Sequence, residues 1–132
     1  YPKLTSHQAE WAAEIVGLNI PGRIRAGSLD TLQRRKLLMA CLLMRRPKVL
    51  LLDEPASGLL TAELEELDQV LRTLAREMKI ALLVVEHRLE LLAAIADEVL
   101  VLDVGRSIMS GTPEEVFNHP EVRAAYFETA KV

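Results

Sequence analysis

Two adjacent carboxylates, Asp53 and Glu54, follow the apolar run Val49 to Leu52 in the stretch VLLLDEPASGLL, which breaks at Pro55. A short apolar run bounded by breakers reads as a strand covered on both faces, being too brief for a helix. In an open α/β sheet, ligands bind beyond the carboxyl ends of the strands, where both side chains project. Such a pair can divide labour: one carboxylate orients Mg2+ through water, and its neighbour positions and polarises an attacking water. The same residues also admit a structural reading, with Asp53 capping a turn and Glu54 solvated. A second apolar stretch, LLVVEH, ends at His87. That imidazole is either a structural group at a strand end or a third functional group on the same sheet edge.

The elements that must position these groups alternate along the chain. His7 to Val16 reads as a short helix stopping near Gly17, followed by an irregular Gly- and Pro-bearing stretch to Gly27. Asp30 to Arg45 is helical, with Arg34, Arg35 and Lys36 clustered in mid-segment and Pro47 ending it. After the first strand comes a helix from Thr61 to Met78, with Thr61 as N-cap and acidic residues among Leu64 to Glu66 in the first turn. Then follow a strand at Ile80 to Val85, a helix at Arg88 to Ala96 and a strand at Glu98 to Leu102. Strands alternating with helices predict a parallel sheet in an α/β domain. Val104 and Gly105 form a tight turn into a short antiparallel strand, Arg106 to Met109. Thr112, Pro113 and Glu115 make a capping box with proline at the first helical position, opening a last helical region that Pro120 interrupts.

Composition narrows the function. The 132 residues, half of them hydrophobic, suffice for one domain with a single core. Sixteen Lys and Arg against 19 Asp and Glu give a formal charge of -3 without a basic block, which argues against a nucleic-acid partner. The single cysteine, Cys41, lies in an apolar helical stretch, cannot form an internal disulfide and fits a reducing cytosol. The longest apolar run, LLMACLLM, falls far short of the ~20 residues of a spanning helix, and the N-terminus lacks a signal pattern. Membrane association is therefore expected only through a partner.

LLLDEPASGL followed by LLVVEH resembles the Walker B, D-loop and switch-histidine sequence of ATP-binding cassette (ABC) ATPases. The resemblance covers nearly the whole chain. VGLNIPGRIRAG is similar to the approach to the family's signature loop, and QRRKLLMACLLMRRPKVLLLDEP to the signature helix and Walker B strand. GTPEEVFNHPEVRAAYF is similar to the tail of branched-chain amino-acid importer cassettes. The resemblance implies the C-terminal portion of a P-loop NTPase (RecA-like) α/β core, mainly a parallel sheet with flanking helices, plus a fragment of the helical subdomain. It divides the chain into a helical-subdomain fragment (1–46), a nucleotide-binding core (47–112) and a helical tail (113–132). It further implies ATP and Mg2+ as cofactors, with Asp53 holding the metal through water, Glu54 as general base or water-positioning group, and His87 on the γ-phosphate. Ser57 and Gly58 fall in the D-loop.

Three positions depart from the family pattern. The nearest match to a phosphate cradle, GLNIPGRI, carries Arg23 and Ile24 in place of Lys and Ser or Thr, and no strand precedes it. The signature LSGGQ falls on SLDTL, Ser28 to Leu32, where Leu29 replaces the serine, Asp30 and Thr31 the glycines, and Leu32 the glutamine. Glycine permits close backbone approach to a phosphate, whereas Asp30 adds a side chain and a like charge. Leu60 occupies the D-loop position usual for Asp or Asn. In the family, the signature and D-loop act across a dimer on the partner's nucleotide, so Ser28, Asp30 and Thr31 form a degenerate clamp in trans and imply an asymmetric heterodimer.

The resemblance thus implies part of an ATP-hydrolysing subunit that drives branched-chain amino-acid import through membrane permease subunits, peripheral on the cytoplasmic face. The Walker A, the adenine-stacking aromatic residue and the Q-loop are expected upstream of Tyr1. The isolated chain is expected to be inactive and to self-associate. Two alternatives stay open: a non-transport cassette ATPase, and a degenerate cassette serving as a docking or regulatory module.

Overall fold

The computed structural model describes residues 6–126, which fall into two compact units divided between His87 and Arg88. The expected segments at 1–5 and 127–132 lie outside the described residues.

In the first unit, α1 (Ser6–Ile15) ends at Gly17, whose φ of 64° is a left-handed turn that glycine adopts without a Cβ penalty. A 3-10 turn at Ala26–Ser28 leads into α2 (Thr31–Leu43). Strand β1 spans Val49–Asp53, the range that the apolar run predicts. Next comes α3 (Thr61–Arg72), whose buried Leu64, Leu67, Val70 and Leu71 recur at helical spacing and turn one face to the core. The predicted N-cap Thr61 is instead the first helical residue. Leu60 holds the cap position, and the Glu63 carboxylate accepts its N–H at 2.7 Å. The helix does not run on as α to Met78. At Thr73–Glu77 it widens into a π-helical stretch, in which the Met78 N–H donates to the Thr73 carbonyl at 3.0 Å.

Strand β2 (Ala81–Val85) pairs with β1 in parallel, from Val49 opposite Ala81 to Asp53 opposite Val85. This register brings the carboxyl ends of both strands level. It also corrects one expectation: β1 is covered on one face only. Leu50 and Leu52 are buried, but Leu51 and Leu83 remain 71% and 61% exposed, flanked by exposed Val49 and Val85. Among the described residues the sheet of this unit has two strands.

Lys36, one of the three clustered basic residues of α2, does not face solvent. It is buried, and its ammonium donates to Glu66 at 2.7 Å and to the Gly17 carbonyl at 3.3 Å, tying α2 to α3 and to the end of α1. A buried ammonium persists only when paired and hydrogen-bonded in this way.

The second unit contains α4 (Leu89–Ile95), β3 (Val99–Asp103), β4 (Arg106–Gly111), α5 (Pro113–Asn118) and α6 (Pro120–Tyr126). β3 and β4 are antiparallel, with a bulge between Val101 and Leu102. Val104 (φ 45°) and Gly105 (φ 73°) take the positive φ values that a two-residue hairpin turn demands. Val99, Val101, Val116 and Val122 form the core, with Ile108, Met109 and Phe117 packed against them. The predicted capping box is present. The Glu115 N–H donates to Thr112 Oγ1 at 3.3 Å, and the Glu115 carboxylate accepts the Thr112 N–H at 2.9 Å and hydroxyl at 3.0 Å. These two donors hold the Glu115 carboxyl below its ordinary range. Pro120 separates α5 from α6, and the Tyr126 hydroxyl donates to the Leu102 carbonyl at 2.9 Å.

Candidate functional site

The parallel pairing of β1 and β2 continues one residue past the strand, where the Glu54 N–H donates to the Val85 carbonyl at 2.8 Å. The chain then turns sharply, with the Ser57 N–H donating to the Glu54 carbonyl at 3.0 Å. Glu54 itself has φ 45°, a left-handed conformation that costs a non-glycine residue about 1–3 kcal/mol. Its side chain is exposed, as is that of the preceding Asp53. His87 Nδ1 stands 3.6 Å from Glu54 Oε1. Both side chains are largely open to solvent, so a protonated imidazole would gain at most about 1 kcal/mol from the pair. The arrangement contributes little to stability and leaves both groups available. Asp53, Glu54 and His87 therefore share one edge of the sheet.

Glu86 joins them unannounced by the sequence reading. Its carboxylate accepts the Ala56 N–H at 2.7 Å on one oxygen and the His87 N–H at 3.1 Å on the other. The signal was available, since Glu86 is an ionisable residue at the carboxyl end of an apolar strand, the same criterion that singles out Asp53.

Among the described residues no group of three or more His, Cys, Asp or Glu could hold a metal ion. The donor set around Asp53 is thus no protein cage for a resident cation. It fits Mg2+ carried by phosphates, an ion that uses one or two carboxylates and completes its octahedron with waters and phosphate oxygens.

The loop before α2 is organised differently. Ser28 Oγ donates to the Arg25 carbonyl at 2.8 Å. Asp30 accepts the Gln33 N–H at 2.8 Å, while Gln33 Oε1 accepts the Asp30 N–H at 3.1 Å, a reciprocal capping box. The Asp-x-x-Gln spacing is the sequence signature of such a helix start. Leu29 and Leu32 are core residues, 3% and 6% exposed, and Arg34 Nε donates to the Leu29 carbonyl at 2.8 Å. Thr31 is exposed and meets the turn after β1: a Cβ placed on Gly58 (φ 76°) would lie 3.8 Å from its Cγ2. The Ser57–Gly58 turn and the start of α2 are thus neighbours in one unit. Around GLNIPGRI, α1 precedes and a 3-10 turn follows, so the strand-loop-helix setting of a phosphate cradle is not formed there.

Comparison with known proteins finds similar chains. The family model described as "Branched-chain amino acid ATP-binding cassette transporter" matches residues 106–127. The chain is 35% identical over 124 residues to the high-affinity branched-chain amino acid transport ATP-binding protein BraF of Pseudomonas aeruginosa, covering 94% of this chain and 48% of BraF. It is likewise 35% identical over 122 residues to the LivG protein of the same description from Salmonella typhimurium, covering 92% of the chain and 48% of LivG. Among solved structures, cbiO1 from Clostridium perfringens, part of the ABC transporter complex cbiONQ, superposes with a TM-score of 0.80 at 28% identity, over 94% of this chain and 51% of that one. The chain spans about half the length of the relatives it matches.

Proposed function

We propose that the chain, which is similar over most of its length to ATP-binding cassette proteins, supplies the hydrolytic carboxylate and switch histidine of an ATPase subunit energising solute import. Branched-chain amino acids are the substrate class, on the strength of the BraF and LivG likeness and the match at 106–127. The observation that carries the reading is the meeting of Glu54 and His87 at the level ends of two parallel strands.

Bound ATP with Mg2+ would supply the phosphoryl group and the cation that neutralises its charge. Asp53 would hold that cation. Glu54, exposed on a left-handed backbone, orients the attacking water and takes its proton. His87 offers an imidazole N–H to the oxygens of the transferred group, where negative charge has to be stabilised. Ser57 and Gly58, packed near Thr31, belong to the surface facing a second ATP-binding subunit. Because Asp30 already fills the start of α2, that second subunit is a different chain, and the dimer is asymmetric. Permease subunits place the assembly peripherally on the cytoplasmic face of the membrane. Residues 1–46 act as the helical-subdomain part, 47–112 as the nucleotide-binding core and 113–132 as the tail. The same capping of α2 favours the second reading, a cassette retained for docking or regulation.

Two experiments test the proposal. The isolated chain should show no ATP turnover and should self-associate through the bare Leu51 and Leu83 face. Turnover by the 132 residues alone, or a monodisperse monomer by light scattering, contradicts it. Joined to the N-terminal half of BraF, the chain should bind ATP and hydrolyse it in the presence of a partner with an intact signature. Binding without turnover under those conditions favours the docking reading.

A further inference from the structure

Two hydrogen bonds lace the end of β1 to the end of β2, and a third, between neighbouring residues, fixes the side chain that makes one of them. The first is between main-chain atoms, from the Glu54 N–H to the Val85 carbonyl at 2.8 Å. The other two converge on one side chain: Glu86 Oε1 accepts the Ala56 N–H at 2.7 Å, and Glu86 Oε2 accepts the His87 N–H at 3.1 Å. The two oxygens are thus divided between the two segments that carry the proposed catalytic groups. Glu54 lies between the anchored N–H of its own residue and the anchored N–H of Ala56, with only Pro55, whose ring fixes φ, in between.

We propose that Glu86 is a positioning residue, whose carboxylate bridges Ala56 and His87 and so keeps Glu54 in its left-handed backbone and His87 within reach of it. Three features support this. Glu54 has no glycine freedom at φ 45°, so its conformation persists only where its surroundings impose it. Ala56 is fully buried, so without Glu86 water does not readily replace the acceptor for its N–H. The 2.7 Å length is that of a charge-assisted bond, stronger than a neutral one. Glutamine at this position keeps one acceptor oxygen and can preserve the link to Ala56. Alanine keeps none.

The role of the held groups rests on the ATPase reading, but the clamp does not, and the test separates the two. Amide hydrogen exchange is measured on the 132-residue chain as it stands. Glu86→Ala should speed exchange at Ala56 by about tenfold or more, Glu86→Gln by less than about threefold, and neither should change the amides within β1 and β2. Equal exchange at Ala56 in wild type and Glu86→Ala overturns the proposal. So does an equal loss of protection throughout both strands, since it makes Glu86 a general stabiliser. In a cassette carrying this chain as its C-terminal half, Glu86→Ala should lower kcat about tenfold with KM within about twofold, and Glu86→Gln should restore most of kcat. An unchanged kcat in Glu86→Ala, or a loss confined to KM, overturns the positioning role. A cassette without turnover in its unsubstituted form counts against the ATPase reading, while the exchange result at Ala56 still decides the clamp.

Discussion

The turn after β1 and the loop before α2 lie side by side in one unit and use their polar residues in opposite ways. In the turn, Glu54 sits in a strained backbone and leaves its carboxylate exposed, 3.6 Å from an exposed imidazole. In the loop, Ser28 and Asp30 bond to neighbouring backbone, while Leu29 and Leu32 are inserted into the core. The first arrangement stores free energy in groups open to a ligand. The second consumes the helix N-terminus, the place where an anion would otherwise find free N–H groups. The difference teaches that a site's readiness shows in what its polar atoms have not yet bonded, and not in residue type alone.

The comparison breaks most visibly if the loop is rewritten toward the family signature. Leu29→Ser with Leu32→Gln removes two buried side chains and buries polar groups, each costing about 2–5 kcal/mol, so the urea midpoint of the chain should collapse. A midpoint within experimental error of wild type would show that neither leucine is held in the core. A smaller but specific effect is expected in trans. In a cassette carrying this chain, pairing with a subunit that bears LSGGQ should raise turnover by about tenfold or more over the homodimer, since one transition-state donor is worth roughly 3 kcal/mol, or about a hundredfold. Equal steady-state rates would remove the asymmetry.

Asp30→Ala should cost about 1 kcal/mol by thermal melting, the usual worth of an N-cap carboxylate. Destabilisation well beyond that would mean Asp30 has a role outside the cap. The corresponding box in the second unit gives the smallest effect. Because the folded Glu115 carboxyl is held below its ordinary range, its stabilisation is fully present above the unfolded value of about 4 and is lost as pH falls through the folded one. Glu115→Gln should therefore melt slightly earlier than wild type at neutral pH, and the gap should close in acid. A gap that widens in acid would reverse the sign of the argument.

Much of this was legible beforehand because the signals are local. β1 follows from an apolar run ended by Pro55, the hairpin from Val104–Gly105, and α5 from Thr112 and Pro113. What escaped depends on partners distant in sequence. Lys36 reads as one of three clustered cations, and its burial could not be foreseen because it depends on Glu66 on another helix. Leu51 reads as core because its run is apolar, yet burial requires a layer to pack against, which the described residues do not provide on that face. Asp53, Glu54 and His87 could be nominated from strand ends, but the bridging of Glu86 to Ala56 needs the parallel register that sets the two ends level.

The central claim is that Glu54 activates water, and one substitution addresses it directly. In a cassette carrying this chain with an intact-signature partner, Glu54→Gln keeps the shape of the side chain and removes the charge and basicity that proton abstraction requires. Nucleotide affinity and single-turnover hydrolysis are measured on the same preparation. The account predicts affinity within about twofold of wild type and hydrolysis slowed at least a hundredfold. Hydrolysis within about twofold of wild type would contradict it.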